Sequence, residues 1–189
     1  MTNTVYLLAK NPDKLAELRK ELDATLDDSD LIAPWAKVKQ LPYLRACLDE
    51  SLRIYPPVAA ALHRKTPPEG MTVMGQFIPG RTIVSMSAYT SHRDPLIFPQ
   101  PDEYRPERWL ENDTKAMKSA FIPFSAGARA CIGQNFTHME QNILLATLVR
   151  RYDFTLAHKD WEMEFEEVFN LWPRKLPLKI SRRSPGAVA

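Results

Sequence analysis

The stretch FSAGARACIG, residues Phe124 to Gly133, contains the cysteine whose surroundings decide how this chain is interpreted. Hydrophobic spacing predicts a long helix from Gly133 to Tyr152, so Cys131 lies where a glycine-containing loop meets a helix start. A helix N-terminus presents unpaired N–H groups and a partial positive charge, which favour a thiolate and lower the pKa of a cysteine. Arg129 adds a permanent positive charge nearby. These features suit a metal or nucleophilic chemistry.

The glycines of this stretch, Gly127 and Gly133, remove side chains where the backbone must turn sharply or approach a flat ligand closely. Two other interpretations of Cys131 stay open on the residues alone. Free cysteines are often buried and inert, so Cys131 could be a core residue. As a nucleophile it would need a base such as His138, about two helical turns away. We expect that histidine to lie at the surface or to pack instead.

A second pattern upstream pairs opposite charges on one helix face. Glu50 and Arg53 are three residues apart, which places both side chains on the same side of a helix. Such pairs are common at surfaces and contribute little there. Here the pair is followed by IYPP and later by PERW, residues 106–109, which adds Arg108. Because a planar guanidinium has five donors, two arginines can clamp one carboxylate.

These motifs together resemble the cytochrome P450 family. FSAGARACIG matches every defined position of that family's haem-binding loop, Phe-x-x-Gly-x-Arg-x-Cys-x-Gly, at Phe124, Gly127, Arg129, Cys131 and Gly133. The resemblance implies haem b as cofactor and Cys131 as the axial thiolate ligand of its iron. It also implies that Phe124 packs beside the thiolate and that Arg129 pairs with a haem propionate.

The resemblance extends to the charged pair upstream. It implies a buried structural triad of Glu50, Arg53 and Arg108, next to which Trp109 replaces the phenylalanine usual in the family. Arg64 lies where the family has a second propionate-binding arginine, with an ordinary surface arginine as the alternative. By resemblance, the segment between Arg53 and Arg64 contains residues that line an apolar substrate pocket: Val58, Ala59, Ala60, Ala61 and Leu62. Ordinary core residues would have the same composition.

Composition limits the classes of protein to consider. The 189 residues are 44% hydrophobic and 25% charged, which is ordinary for a globular domain. A net charge of +2 gives no electrostatic reason to expect nucleic acid or an anionic membrane as partner. Two cysteines make a disulfide scaffold improbable and fit a reducing compartment. No signal peptide or membrane-spanning apolar run is visible, so we expect no anchor and a cytoplasmic or undefined location for this chain.

The pattern along the chain predicts a fold that is mainly α with minor β. Asn11 is expected to cap a helix that starts at Pro12. Pro79-Gly80 is expected to form the turn of a hairpin over residues 71–87. The proline-rich residues 92–109 are expected to contain no long helix or strand. Cys47 should fill space in the core, whereas His92 and His158 should lie at the surface. The predicted helices are Asn3 to Ala9, Pro12 to Leu26 with a stripe of Leu15, Leu18, Leu22 and Leu26, Leu44 to Tyr55, and Gly133 to Tyr152 with a stripe of Phe136, Met139, Ile143 and Ala146; short strands follow in the tail.

By resemblance, the chain is one partial P450 domain, the C-terminal part of the fold. Residues 1–57 would hold the end of the I helix and the J and K helices, 58–91 a β region, 92–123 the meander, 124–133 the haem loop, 134–152 the L helix and 153–189 the C-terminal β region. The acid–threonine pair of the oxygen-activating helix is missing, so Thr2 and Thr4 are not assigned its role and no catalytic residue is assigned. The chain is therefore expected to be a fragment, the product of a truncated gene model or a natural short form.

The activity implied by the resemblance is insertion of one oxygen atom from O2 into a small apolar substrate. Electrons would come from NADPH–cytochrome P450 reductase or a similar donor. The phrasing of the motifs is typical of fungal microsomal members, which implies specialised metabolism and an endoplasmic-reticulum location for a full-length parent. The alternatives are a truncated, non-catalytic haem-binding remnant and a soluble module without haem.

Overall fold

The computed structural model describes residues 1–111 and 115–183, and eight α-helices lie within these ranges. Three of them are single turns, and the longest follows the Cys131 loop. The predicted meander and C-terminal segments also include residues 112–114 and 184–189, which lie outside the described residues. The helices are α1 (Thr2–Lys10), α2 (Pro12–Thr25), α3 (Trp35–Val38), α4 (Pro42–Ile54), α5 (Ala88–Ser91), α6 (Arg108–Glu111), α7 (Lys115–Ala120) and α8 (Gln134–Arg151).

Short strands occupy the rest of the regular structure in the described ranges and form four antiparallel pairs. β1 (Arg64–Lys65) pairs with β4 (Ile83–Val84), and β2 (Met71–Val73) pairs with β3 (Gln76–Ile78). β5 (Tyr152–Leu156) pairs with β8 (Leu178–Arg182), and β6 (Phe165–Glu167) pairs with β7 (Leu171–Pro173). This mixture of helices and small sheets agrees with the expected class, mainly α with minor β.

The main core lies where α1, α2, α4 and α8 pack together against β5. All four leucines of the stripe predicted for α2 are buried in it. Full burial of one such side chain stabilises the fold by about 1.5–3 kcal/mol relative to exposure. Among the described residues no helix is both long and apolar enough to cross a membrane. The leucines that are at most 1% exposed are Leu8, Leu18, Leu22, Leu44, Leu48 and Leu145.

The junction of α1 and α2 differs from the expectation in one detail. Pro12 is the first residue of α2, as predicted, but the Asn11 side chain makes no cap hydrogen bond to α2. Its amide donates instead to the carbonyl oxygen of Leu7 at 2.8 Å, and its backbone N–H donates to the last turn of α1. Asn11 therefore caps the C-terminus of α1, because Pro12 has no N–H and leaves one donor fewer to satisfy at the start of α2.

The hairpin turn is not at Pro79-Gly80, where it was predicted. Val73 pairs with Gln76, so the two-residue turn between β2 and β3 is Met74-Gly75. Both turn residues have positive φ, 49° and 80°, which is the conformation that matches the twist of a tight hairpin. Gly80 serves a close backbone approach instead, since a Cβ there would lie 1.9 Å from the carbonyl oxygen of Pro68.

The buried face of α8 is also not the predicted one. Phe136 is 64% exposed, and Met139 and Ile143 are only half-buried; of the predicted stripe only Ala146 is fully buried. Apolar residues occur all around this helix, so spacing did not single out a face. Contacts with α2, α3 and α4 select it. The buried residues of α8 are His138, Asn142, Leu145, Ala146, Val149 and Arg150.

Candidate functional site

The loop that carries Cys131 is closed by backbone hydrogen bonds. The N–H of Cys131 donates to the carbonyl oxygen of Phe124 at 2.8 Å, so the loop's two ends are joined. A short 3₁₀ turn over Gly127–Arg129 lies between them, and Gly127 has a φ of 70°, which favours glycine. The helix α8 begins at Gln134, three residues after the cysteine. The cysteine is thus held on a defined loop immediately before a long helix.

The two thiols of the chain are in opposite environments. Cys47 is fully buried in the core, as predicted, and this burial raises the pKa of its thiol. Cys131 is exposed and forms no disulfide. Its neighbours Arg129 and Ile132 are exposed as well, and Phe124 is half-buried. Only Cys131, of these two, can present sulfur to an external ligand.

Phe124, the first residue of the loop, packs against a histidine of α8. The rings of Phe124 and His138 meet edge to face, with centroids 4.8 Å apart and an interplanar angle of 72°. The imidazole Nε2 of His138 lies 3.2 Å from Nη2 of Arg45 on α4. Burial, and secondarily the charge of Arg45, lower the pKa of His138 to about 4. Because an arginine only donates hydrogen bonds, Nε2 accepts, and His138 is neutral with its proton on Nδ1.

A groove of about 410 Å³ lies between α4, the segment from Trp109 to Pro123 and the Cys131 loop. Trp109, Phe121 and Phe124 contribute aromatic walls to it, and His138 closes one side. Arg45 crosses this region and donates from Nε to the Asp49 carboxylate at 2.7 Å. The sequence motifs did not include Arg45 or Asp49, since an arginine and an aspartate four residues apart on a helix resemble an ordinary surface pair.

The structure brings Glu50, Arg53 and Arg108 together in a fully buried cluster. Arg53 grips the Glu50 carboxylate with two N–H donors, Nε and Nη2, each at 2.9 Å. Arg108 donates from Nε to Oε1 of Glu50 at 2.9 Å. The three residues are at most 3% exposed. A carboxylate between two guanidinium groups remains paired although it is removed from water.

The same arginines hold the proline-rich segment by its backbone. Arg53 donates to the carbonyl oxygens of His92, Pro101 and Glu103, and Arg108 donates to those of Pro99 and Gln100. These bonds satisfy carbonyl groups in a region that has no long helix or strand to satisfy them. Glu50 therefore anchors the path of residues 92–109 through its two arginines.

Trp109 adds a bond that the usual phenylalanine could not make. Its indole Nε1 donates to Oε2 of Glu50 at 2.9 Å. Its ring also packs on Phe121, with centroids 4.6 Å apart. The tryptophan therefore joins the charged cluster to the segment that enters the Cys131 loop. In the sequence, Trp109 is notable only as a replacement of the usual phenylalanine. Its indole N–H nevertheless needs a hydrogen-bond acceptor when it is buried, and the predicted buried carboxylate of Glu50 is one.

His92 is buried, and the expectation of a surface position was wrong. It is 0% exposed, its Nε2 accepts from the N–H of Ile122 at 2.8 Å, and Nδ1 donates to the carbonyl oxygen of Arg53 at 3.2 Å. Burial lowers its pKa to about 4. Its polar neighbours in the sequence gave no sign of this burial. His158 and His63 are exposed, the former as expected.

The remaining predicted site residues lie around β1. Arg64 is exposed on this strand, and its Nη1 donates to the carbonyl oxygen of His63. Ser87 holds residues 58–62, the segment that precedes β1. Its hydroxyl donates to the carbonyl oxygen of Ala59, and its backbone forms a β-bridge with Ala61. Ala59 is buried and Ala60 is exposed, while Val58, Ala61 and Leu62 are half-buried.

Chemically, the arrangement offers one exposed thiol, that of Cys131, on a loop closed by backbone hydrogen bonds. Within residues 1–111 and 115–183 no cluster of three or more histidine, cysteine or acidic side chains could hold a metal ion. A single thiolate would nevertheless be able to bind an iron whose other ligands belong to a macrocycle.

Comparison with known proteins gives one family. The family model "Cytochrome P450" matches residues 1–180. The chain is 40% identical over 157 residues to the cytochrome P450 monooxygenase nodW of Hypoxylon pulicicidum, covering 82% of this chain and 29% of that protein. It is 37% identical over 182 residues to the monooxygenase penB of Penicillium thymicola, covering 95% and 40%. For cicH of Emericella nidulans the identity is 35% over 184 residues, covering 95% and 37%. The chain thus spans 29–40% of the length of these relatives.

Proposed function

Because the chain belongs to the cytochrome P450 family, we propose that it supplies the iron-ligand region of a haem-thiolate monooxygenase. The reaction would insert one oxygen atom from O2 into a small apolar organic substrate. One observation carries the proposal: Cys131 has an exposed thiol, and its backbone N–H donates to the carbonyl oxygen of Phe124 and so closes the loop. This is the presentation that an iron-ligating thiolate needs.

The residues around Cys131 fit a haem. Ile132 and Phe136 are exposed apolar side chains within five residues of Cys131 in the sequence, and a flat apolar macrocycle would cover such side chains. At Gly127 a Cβ would meet no heavy atom within 4 Å, so the loop leaves open space there. Cys131 would bind the iron, Phe124 would pack beside it, and Arg129 and Arg64 would pair with the propionates. Bound haem supplies an iron centre for O2 activation, and a thiolate ligand favours O–O cleavage.

The chain's own residues position that ligand. Glu50 and its arginines fix residues 92–109, and His92 then accepts from the N–H of Ile122, two residues before Phe124. The residues that lead into the Cys131 loop are therefore hydrogen-bonded to a segment that Glu50 and its arginines hold in place. Arg129, on the 3₁₀ turn of the loop, would place a permanent positive charge two residues before the ligand.

Substrate, partner and location are proposed from composition and from the resemblance of the motifs. The small apolar side chains of residues 58–62 suit a roomy apolar pocket. An NADPH–cytochrome P450 reductase or similar protein would supply the electrons. The motif phrases that resemble fungal microsomal members support a place in specialised metabolism and an endoplasmic-reticulum membrane location for a full-length parent.

A second candidate function is a haem-binding remnant without monooxygenase activity. It rests on the same observation, since the exposed thiol of Cys131 could bind haem iron without any further catalytic group. Turnover of an apolar substrate with a reductase distinguishes the two candidates, because only the enzyme converts substrate.

The proposal predicts that Cys131→Ser abolishes thiolate ligation. The purified chain is titrated with haemin, reduced with dithionite and exposed to CO, and the red-shifted Soret band of a thiolate complex is recorded. We expect the band in the parent chain and in Cys47→Ala, which removes the buried thiol, but not in Cys131→Ser. If Cys131→Ser took up haemin with the same band as the parent, the assignment of the ligand would be wrong.

A further inference from the structure

We infer that His138 is a positioning residue for Cys131: held by Arg45, its ring fixes Phe124, whose backbone carbonyl accepts the N–H of Cys131. The inference rests on the proposed function for the purpose of the loop, and on the structure alone for the contacts. It concerns a residue that is neither in the haem-loop motif nor in the charged triad.

The first step joins the thiol-bearing residue to an aromatic ring. The N–H of Cys131 and the carbonyl oxygen of Phe124 are 2.8 Å apart, so a shift of the Phe124 backbone moves Cys131. Phe124 is half-buried. Its ring makes an edge-to-face contact with the ring of His138, with the two centroids 4.8 Å apart. Edge-to-face contacts have a preferred geometry, so His138 restricts the position of Phe124.

The second step fixes the histidine itself. His138 is 8% exposed, and its Nε2 accepts from Nη2 of Arg45 at 3.2 Å. The Asp49 carboxylate, 9% exposed, orients the same guanidinium through Nε at 2.7 Å. On its other side, Nδ1 of His138 is buried without a hydrogen-bond partner among the described residues. The imidazole is therefore oriented from one side by α4 and transmits that orientation to Phe124.

The third step concerns why a neutral ring suits this position. A protonated imidazole would face the guanidinium of Arg45, and Lys118 of α7 lines the same groove. Like charges at this distance repel, so protonation would separate His138 from Arg45 and release Phe124. Asp49, on α4, is the acidic group that faces Arg45. Through Arg45 and His138, the packing of α4 against α8 couples α4 to the Cys131 loop.

Amide hydrogen exchange of the Cys131 N–H tests the inference without haem. We expect His138→Ala to increase that exchange rate on the order of tenfold, because the N–H bond to Phe124 opens more often. His138→Phe keeps an aromatic ring but loses the hydrogen bond to Arg45, so it should show, like Arg45→Met, a smaller increase than His138→Ala. Val149→Ala is the matched control, since it also truncates a buried residue of α8 but lies away from Phe124.

Equal exchange in His138→Ala and the parent would overturn the inference, as would an equal increase in Val149→Ala, which would indicate general destabilisation. If His138→Ala does not fold, His138→Phe and Arg45→Met decide: parent-like exchange in Arg45→Met refutes the orienting role of Arg45. With haemin bound, His138→Ala should also show a smaller share of the thiolate-type band. Absence of that band in the parent chain would contradict the proposed function, while the exchange rates would still decide the role of His138.

Discussion

At the scale of single residues, two histidines are held neutral by burial. His92 uses both ring nitrogens, one as acceptor for Ile122 and one as donor to Arg53. An imidazolium could not accept the Ile122 N–H, so this arrangement requires the uncharged ring. The pKa of His92 is lowered from 6.5 to about 4, and that of His138 is lowered to a similar value.

This depression predicts a loss of stability in acid. A histidine with a lowered folded pKa takes up its proton first in the unfolded state, so its contribution is complete above pH 6.5 and declines as the pH falls towards about 4. For His92 the loss is on the order of 3 kcal/mol in the free energy of unfolding. His92→Gln can still accept from Ile122 but does not titrate, so its unfolding free energy should depend less on pH. Urea unfolding of both proteins at pH 7 and pH 5 measures this, and equal pH dependence would contradict it.

At the scale of elements, the β2–β3 hairpin shows how a turn was misplaced from sequence. Pro79-Gly80 is a strong turn signal, whereas Met74 is a poor candidate for a left-handed conformation. The pairing of Val73 with Gln76 nevertheless leaves Met74 and Gly75 as the loop. Met74 is 99% exposed, so no packing contact accounts for its φ of 49°.

The strained methionine predicts a stabilising substitution. Asparagine tolerates positive φ and precedes glycine in the favoured two-residue hairpin turn, so Met74→Asn should raise the free energy of unfolding by about 0.5–1 kcal/mol. Gly75→Ala is the matched opposite, because it places a Cβ at a φ of 80° and should destabilise the hairpin. Thermal unfolding of the two variants compares them. A lower melting temperature for Met74→Asn than for the parent would refute this account of the turn.

At the scale of the whole molecule, one carboxylate organises a region without regular structure. Glu50 binds Arg53, Arg108, the indole of Trp109 and the backbone N–H of Arg105. Through the two arginines it reaches carbonyl groups over residues 92–103. The packed helices and residues 92–109 are thus joined by a charged cluster whose members Glu50, Arg53 and Arg108 are at most 3% exposed.

Removal of that carboxylate should be far more damaging than removal of an exposed one. Glu50→Ala leaves two buried guanidinium groups uncompensated and should cost about 3–5 kcal/mol in unfolding free energy. Glu17 pairs with Lys20 at the same three-residue spacing but is exposed, so Glu17→Ala should cost only about 0–0.5 kcal/mol. Urea unfolding measures both, and proteolysis of residues 92–109 should accelerate in Glu50→Ala alone. Similar costs for the two substitutions would refute the role of burial.

What the amino-acid sequence determined by itself was local or motif-based. The stripe of leucines in α2, the helix α8 after Gly133 and the pairing pattern Glu50–Arg53 follow from residue spacing, and FSAGARACIG led to the family that the comparisons then supported. These features depend on neighbours within a few turns of helix, so they can be inferred before the fold is known.

Only the tertiary structure decided which side chains are buried among helices of mixed polarity. The inward face of α8, the burial and neutral state of His92, and the contact of Phe124 with His138 depend on packing partners distant in sequence. The indole bond from Trp109 to Glu50 spans 59 residues and belongs to the same group. Burial and protonation are set by the groups that surround a side chain in space, and residue spacing carries no direct record of those groups.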